Sequence, residues 1–255
     1  MSEKIYITNK IGLQDLHLGD ALVTLNLIYN RYLITNNIIE IYGPEIIFNL
    51  INIFKYEGLK YIGRNENNIT GNYKLKQFID GFENFQSEFL NAKFCNIVGK
   101  EIKFNNLILP QYRSNKIIKD IKDLLFQFDN RSLHTLGKNK LSIKEIENVL
   151  SIYKIEEEDI FGIGGPDTIP YIENIKFKIG NLNYICNELN YCRLFIGSDS
   201  GISHLAGTMN INSIIINTHE LEPNLSEINE FYNFMYRNTK IKSKKEIFKK
   251  WKHHT

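Results

Sequence analysis

Short apolar runs alternate with helically spaced apolar positions along most of the 255-residue chain. KIYIT (4–8) predicts a first strand, and ALVTLNLIYNRYL (21–33) carries apolar residues at 21, 25, 28 and 32, one face of a helix. A loop through Gly12 to Asp20 is expected between them. IIEIYG (38–43) predicts a second strand, PEIIFNLINIF (44–54) a helix opened by proline at its first position, and LKYIG (59–63) a third strand. The polar stretch 64–93 fits no single element. Strands are expected again at FCNIV (94–98) and NLILP (106–110).

QYRSNK (111–116) reads as a crossing between halves, after which the alternation starts again. LLFQFD (124–129) predicts a strand, LSIKEIENVLSIYK (141–154) a helix with Ser142 near its start, and DIFGIGG (159–165) a strand ending in glycines. KFKIG (176–180), NLNYICNELNYC (181–192), LFIGSDS (194–200), ISHLAGTMN (202–210) and NSIIIN (212–217) continue strand, helix, strand, helix, strand. Repeated β-α-β units are the signature of parallel sheets covered by helices. Two Rossmann-like, doubly wound domains with a cleft between them are therefore expected: 1–115, 116–240, and a basic C-terminal helix over 241–255.

Composition narrows the class. With 43% hydrophobic and 24% charged residues the chain can build a sizeable core. Its net charge of +2 supplies no field that would gather nucleic acid. Cys95, Cys186 and Cys192 have no C-x-x-C spacing, so neither a zinc site nor a disulfide framework is expected, and a reducing compartment is the default. MSEKIYITNK lacks the long apolar core of a signal peptide, and no apolar run approaches the ~18 residues of a membrane span. The expected location is the cytoplasm.

The candidate chemistry lies in LFIGSDSGISHLAGTMNINSIII (194–216), where an apolar run breaks at Ser198, Asp199, Ser200 and Gly201 and a histidine follows at 204. In open parallel sheets, ligands collect beyond the carboxyl ends of strands, where helix N-termini present unpaired N–H groups. Gly201 would let the backbone approach a ligand, Ser200 could offer a hydroxyl to phosphate, and Asp199 could accept from sugar hydroxyls. Two plainer roles stay open: Asp199 or Ser200 as a helix cap, and His204 as a core residue.

The string D-S-G-x-x-H-L-A (199–206), the upstream G-N-L-N-Y-I-C-N-E-L (180–189) and L-G-D-A-L-V-T-L (18–25) resemble, in this order, elements of family 9 glycosyltransferases, the bacterial heptosyltransferases of lipopolysaccharide synthesis. The resemblance implies a GT-B fold and inverting, metal-independent transfer of a sugar, heptose among the candidates, from a nucleotide-diphosphate donor to a saccharide or glycolipid acceptor. It implies no cofactor, the nucleotide sugar being a co-substrate. Two departures stand out. I-N-T-H-E-L-E-P (216–223) replaces a glycine-rich element, and FDNRSLHTLGKNKL (128–141) lacks the tryptophan of a basic element.

On this resemblance Asp20 is the candidate base, with capping of the helix at 21 as its competing role. Gly19, Asp15 and His17 accompany it on the acceptor side. Ser198, Asp199, Ser200, Gly201, His204, Gly180 and Asn181 form the donor side, with Arg131, Lys138 or Lys140 as the cation that meets the diphosphate. The tail KIKSKKEIFKKWKHH (240–254) offers either a contact with the inner face of the membrane or a helix that packs on the protein. Two other functions fit the same features: a phage-type sugar transferase acting on modified DNA bases, and a non-catalytic sugar-nucleotide-binding or scaffold protein.

Overall fold

The computed structural model describes residues 2–7, 10–11, 14–15, 17–64, 108–113, 123–128, 141–155, 159–198, 200–217 and 239–243. The chain divides into two compact units, Met1–Arg113 with Asn224–Met235 and Ser114–Pro223 with Tyr236–Thr255.

The first unit runs β1 (Ser2–Tyr6), β2 (Lys10–Ile11), β3 (Gln14–Asp15), α1 (Leu18–Thr35), β4 (Ile38–Tyr42), α2 (Glu45–Ile53), β5 (Phe54–Lys55), β6 (Leu59–Gly63) and β7 (Gln111–Tyr112). β1, β4 and β6 form a parallel sheet in that order. Expectation and structure part at several places. The loop after β1 contains a short antiparallel pair, β2 with β3. Pro44 is the N-cap of α2 rather than its first helical residue. Residues 108–110, expected in a strand, are in none, and pairing starts one residue later, where Gln111 meets Lys55 of β5.

α1 begins at Leu18, so Gly19 and Asp20 lie inside its first turn rather than in the loop before it. It ends at Asn36, whose left-handed backbone (φ 53°) returns its N–H to Tyr32 O at 2.7 Å. Instead of one apolar face, every residue from Ala21 to Asn30 is buried. The two asparagines among them are accommodated by side-chain bonds. Asn26 Oδ1 accepts from Tyr56 Oη at 2.7 Å. Asn30 Nδ2 donates to Ile108 O at 2.9 Å while its Oδ1 accepts from Ile108 N at 2.8 Å, the pair of bonds that a neighbouring strand would make. A buried amide left unbonded costs about 1–3 kcal/mol, and this explains how α1 tolerates asparagine on a face that water does not reach.

The second unit runs β8 (Asp123–Gln127), α3 (Ile143–Tyr153), β9 (Ile160–Gly164), β10 (Phe177–Ile179), α4 (Leu182–Asn190), β11 (Cys192–Ser198), α5 (Gly201–Thr208), β12 (Ser213–Asn217) and β13 (Thr239–Ser243). All six strands are parallel, in the order β10-β9-β8-β11-β12-β13. Counted in order of appearance this is 3-2-1-4-5-6, the doubly wound order of dinucleotide-binding sheets. Ser142 opens α3 with a capping box: its Oγ accepts from Glu145 N at 3.3 Å, and Glu145 Oε2 accepts from Ser142 N at 2.7 Å. α3 then lays Ile146, Val149 and Leu150 on Leu124, Phe126, Leu194 and Ile196, closing the core on one face.

β13 corrects the expected C-terminal helix over 241–255. Residues 241–243 belong to a strand that pairs with β12 from Ser213↔Thr239 to Asn217↔Ser243. T-K-I-K-S has period two, with Ile241 opposite the buried Ile215, and its backbone pairs with the edge of β12. The remainder of the tail, and with it the choice between membrane contact and packing, lies outside the described residues.

Candidate functional site

β8 and β11 are neighbours, but the chain leaves them toward opposite faces of the sheet. α3 packs on the face that carries Leu124, Phe126 and Ile196. α5 lies on the other face, since a Cβ on Gly197 would come within 2.9 Å of Ser203 Oγ. Such a reversal leaves a crevice at the carboxyl ends of the two strands, and Ser198 and Ser200 stand at its β11 side.

Ser200 is the N-cap of α5. Its Oγ accepts from Ser203 N at 3.3 Å and donates to Gln127 Oε1, at the end of β8, at 2.8 Å. Gln127 can reach because it stands in register with Gly197, where a Cβ would lie 3.0 Å from the Gln127 carbonyl oxygen. The capping role therefore holds for Ser200, and its hydroxyl is engaged within the protein. What this turn offers an anion is backbone: the first N–H groups of a helix have no intrahelical acceptor, and with Ser203 N–H taken by the cap those of Gly201 and Ile202 remain. Ser198 is 5% exposed, and its Oγ has no hydrogen-bond partner. Its carbonyl accepts from Ser203 Oγ. His204 is half-buried in the first turn, its N–H donating to Ser200 O at 3.0 Å.

Gly180 and Asn181 lie at the carboxyl end of β10, separated from β11 by β9 and β8. At ~4.8 Å per strand that is about 14 Å from Ser200. Asn181 Oδ1 caps α4 by accepting from Tyr184 N at 3.0 Å, and Gly180 N–H donates to Gly164 O at 3.2 Å. The missing Cβ of Gly180 is the space that the Tyr184 ring occupies. Both residues thus serve the edge of the sheet and are not gathered with Ser200. Asp199, Arg131, Lys138 and Lys140 lie outside the described residues.

In the first unit, Asp20 is half-buried at the third position of α1, where the partial positive charge of the helix start favours its carboxylate. It does not occupy the cap position. His17 does, exposed and without a side-chain cap bond. Gly19 lies between them, and Asp15 is paired with Lys10 in the β2–β3 ladder. One turn beyond Asp20, Thr24 is fully buried with its hydroxyl unbonded.

Two contributors escaped the sequence reading. Gln127 was visible as the one polar residue inside LLFQF, but nothing local tied it to Ser200, 73 positions away. Tyr171 gave no signal at all. Its phenol oxygen accepts from Phe128 N, the residue just past β8, at 2.8 Å. Among the described residues no group of three or more His, Cys, Asp or Glu is placed to hold a metal ion, and no helix is long and apolar enough to cross a membrane.

The parallel sheets of Rossmann-like units have the fold of the GT-B class. Solved structures bear this out. The chain is similar to the iron-containing dodecameric glycosyltransferase TibC of enterotoxigenic E. coli, with 16% identity, a TM-score of 0.57, and coverage of 83% of this chain and 57% of TibC. TibC is also known as a heptosyltransferase in complex with ADP-D-beta-D-heptose. The family 9 glycosyl transferase of Veillonella parvula matches at 11% identity and a TM-score of 0.62, over 98% of this chain and 88% of that one. E. coli ADP-heptose lps heptosyltransferase II matches at 10% identity and 0.57, over 94% and 90%. The chain thus spans little more than half the length of TibC and most of the length of the other two. No family model matches the sequence, and neither does any curated protein.

Proposed function

We propose that the chain is a glycosyltransferase that moves a sugar, of the heptose class, from a nucleotide-diphosphate donor to a saccharide or glycolipid acceptor of the bacterial envelope. The observation that carries this reading is the position of Ser198–Gly201 at the strand-order reversal of a 3-2-1-4-5-6 sheet, with the N–H groups of α5 at the crevice. The likeness to TibC, whose complex contains ADP-D-beta-D-heptose, supports the same class of donor.

In this reading the donor diphosphate meets the α5 N-terminus, with one of Arg131, Lys138 and Lys140 as counter-charge. The Asp20 carboxylate takes the proton of the acceptor hydroxyl. The acceptor oxygen then bonds to the anomeric carbon from the face opposite the leaving group, inverting it, and the bond from that carbon to the diphosphate breaks with its electron pair on the diphosphate. The partial positive charge of α5 stabilises the leaving group, and the scheme requires no metal. The site of action in this reading is the cytoplasm, and the basic tail either contacts the inner membrane face or packs on the protein.

Calorimetry of the full chain with ADP and ADP-heptose tests the proposal. The wild type should bind both, and Ser200→Tyr neither. Asp20→Asn should bind like the wild type and lose transfer by about 10²–10⁴-fold, the usual contribution of a general base. Absence of binding would sink the donor site. Binding by a wild type that neither transfers nor hydrolyses the donor would make the chain a sugar-nucleotide-binding protein. A strong, salt-dependent affinity for DNA would move the acceptor to modified bases.

A further inference from the structure

Parallel neighbours in a sheet are ordinarily joined through a helix, yet the twelve residues from Gly165 to Lys176 that join β9 to β10 contain none. They form a strap of turns on the α3 face. Ile172 is 4% exposed within the core there, and Tyr171 packs beside Phe126 and Phe177 with ring centroids 6.1 and 5.1 Å away. Phe177 is in turn seated where Gly162 has no side chain.

From this seat Tyr171 reaches past β9 to β8. The N–H groups of alternate residues in a parallel strand point the same way, and Leu124 N–H donates toward β9, to Asp159 O at 2.9 Å. Phe128 N–H has the same sense, but the β8–β9 ladder stops at Phe126↔Gly162. The Tyr171 hydroxyl takes that N–H instead, at 2.8 Å. On the other face, the preceding residue, Gln127, is held by Ser200 at 2.8 Å. The two holds therefore differ: Tyr171, packed on the α3 face, takes a backbone N–H that lies in the plane of the sheet, and Ser200 takes the Gln127 side chain on the other face.

We infer that Tyr171 is a positioning residue of the donor site: with Ser200 it clamps the end of β8, and through Gln127 and Ser200 it fixes the N-terminus of α5 for the donor diphosphate. The inference rests on the donor-site reading above. Tyr171 touches no donor atom in this scheme. It removes the freedom of strand β8 to slide or fray, which would carry Gln127 and the cap with it. Misplacing the N–H groups of α5 by a fraction of an ångström weakens charge-assisted bonds, whereas contacts with the nucleoside are unaffected.

Titration calorimetry of the full chain with ADP and with adenosine, wild type against Tyr171→Phe, separates these effects. The expected result is a loss of ADP affinity of about tenfold, with adenosine affinity within about twofold. Equal affinities in the two proteins, or an equal loss for both ligands, overturns the inference and leaves the donor site standing. A wild type that binds no ADP overturns the donor site and the inference together. Should Tyr171→Phe fail to fold, hydrogen exchange of the Phe128 amide in the wild type decides: exchange slowed at least about tenfold by ADP and not by adenosine upholds the clamp. Exchange at open-loop rates with ADP bound overturns it.

Discussion

Ser200 donates its hydroxyl to Gln127 Oε1 at 2.8 Å across the point where the strand order of the second unit reverses. The same oxygen caps α5, so one atom ties β8, the end of β11 and the first turn of α5 together. Ser200→Ala removes cap and bridge at once and should lower stability by about 1–2 kcal/mol. Urea unfolding would register it as a lower midpoint at unchanged slope. Ser200→Thr keeps the hydroxyl and should recover most of the loss.

Gly58 turns the chain between β5 and β6 with φ +76°, a region that side chains rarely adopt, and a Cβ there would overlap the Tyr32 ring. The Tyr32 ring also lies 6.4 Å, centroid to centroid, from that of Tyr29. Gly58→Ala should cost about 1–3 kcal/mol through strain and overpacking together. Thermal unfolding of the purified variant checks this. An unchanged melting temperature would contradict the packing described for α1.

Asn30 binds both backbone groups of Ile108 and also donates to Asn26 O at 2.7 Å. Asn30→Ala strands a part-buried N–H and a part-buried carbonyl and should destabilise by about 2–3 kcal/mol. The loss should be local as well as global. Hydrogen exchange at Ile108 should accelerate more than exchange in β4.

Burial pushes the thiols of Cys186 and Cys192 up from 9.0 to about 12, and Cys192 Sγ donates to Leu189 O at 3.1 Å. In a Cys95→Ser background, a disulfide reagent should therefore find no reactive thiol in the folded protein at pH 8 and two after denaturation. The sign for stability follows. Both folded-state values lie above the unfolded value, so this contribution is complete below pH 9 and is lost progressively as the pH rises toward 12. An alkaline fall in stability that persists unchanged in Cys186→Ala/Cys192→Ala would show that other groups cause it.

Much of the second unit was legible because its elements are locally consistent. LSIKEIENVLSIYK carries Ser142 three residues before Glu145, and the capping box forms where that spacing puts it. The strand LFIGSDS was right in type and ends two residues earlier than expected, because Ser200 leaves the ladder to cap α5. α1 was misread in a way that bears on function. A start at the first apolar residue leaves Asp20 outside as a cap, but Leu18 and Gly19 are already helical and Asp20 stands within the first turn. The single apolar face expected for it failed for a related reason: Thr24, Asn26 and Asn30 are polar by type yet buried. Burial of the two asparagines depends on Tyr56 and on Ile108, which is 78 positions from Asn30.

By itself the sequence determined the alternation of strands and helices, the start of α3 at Ser142, and the place where an apolar run breaks at Ser198. These depend on contacts a few residues apart, and local hydrogen-bond chemistry decides them. The tertiary structure alone decided the strand order that makes this break a crevice, the strand over Thr239–Ser243, and the holds of Ser200 on Gln127 and Tyr171 on Phe128, 73 and 43 positions away. Which edges pair, and which backbone donor is left over for a distant hydroxyl, follow from closing a whole sheet around one core, and no window along the chain contains that information.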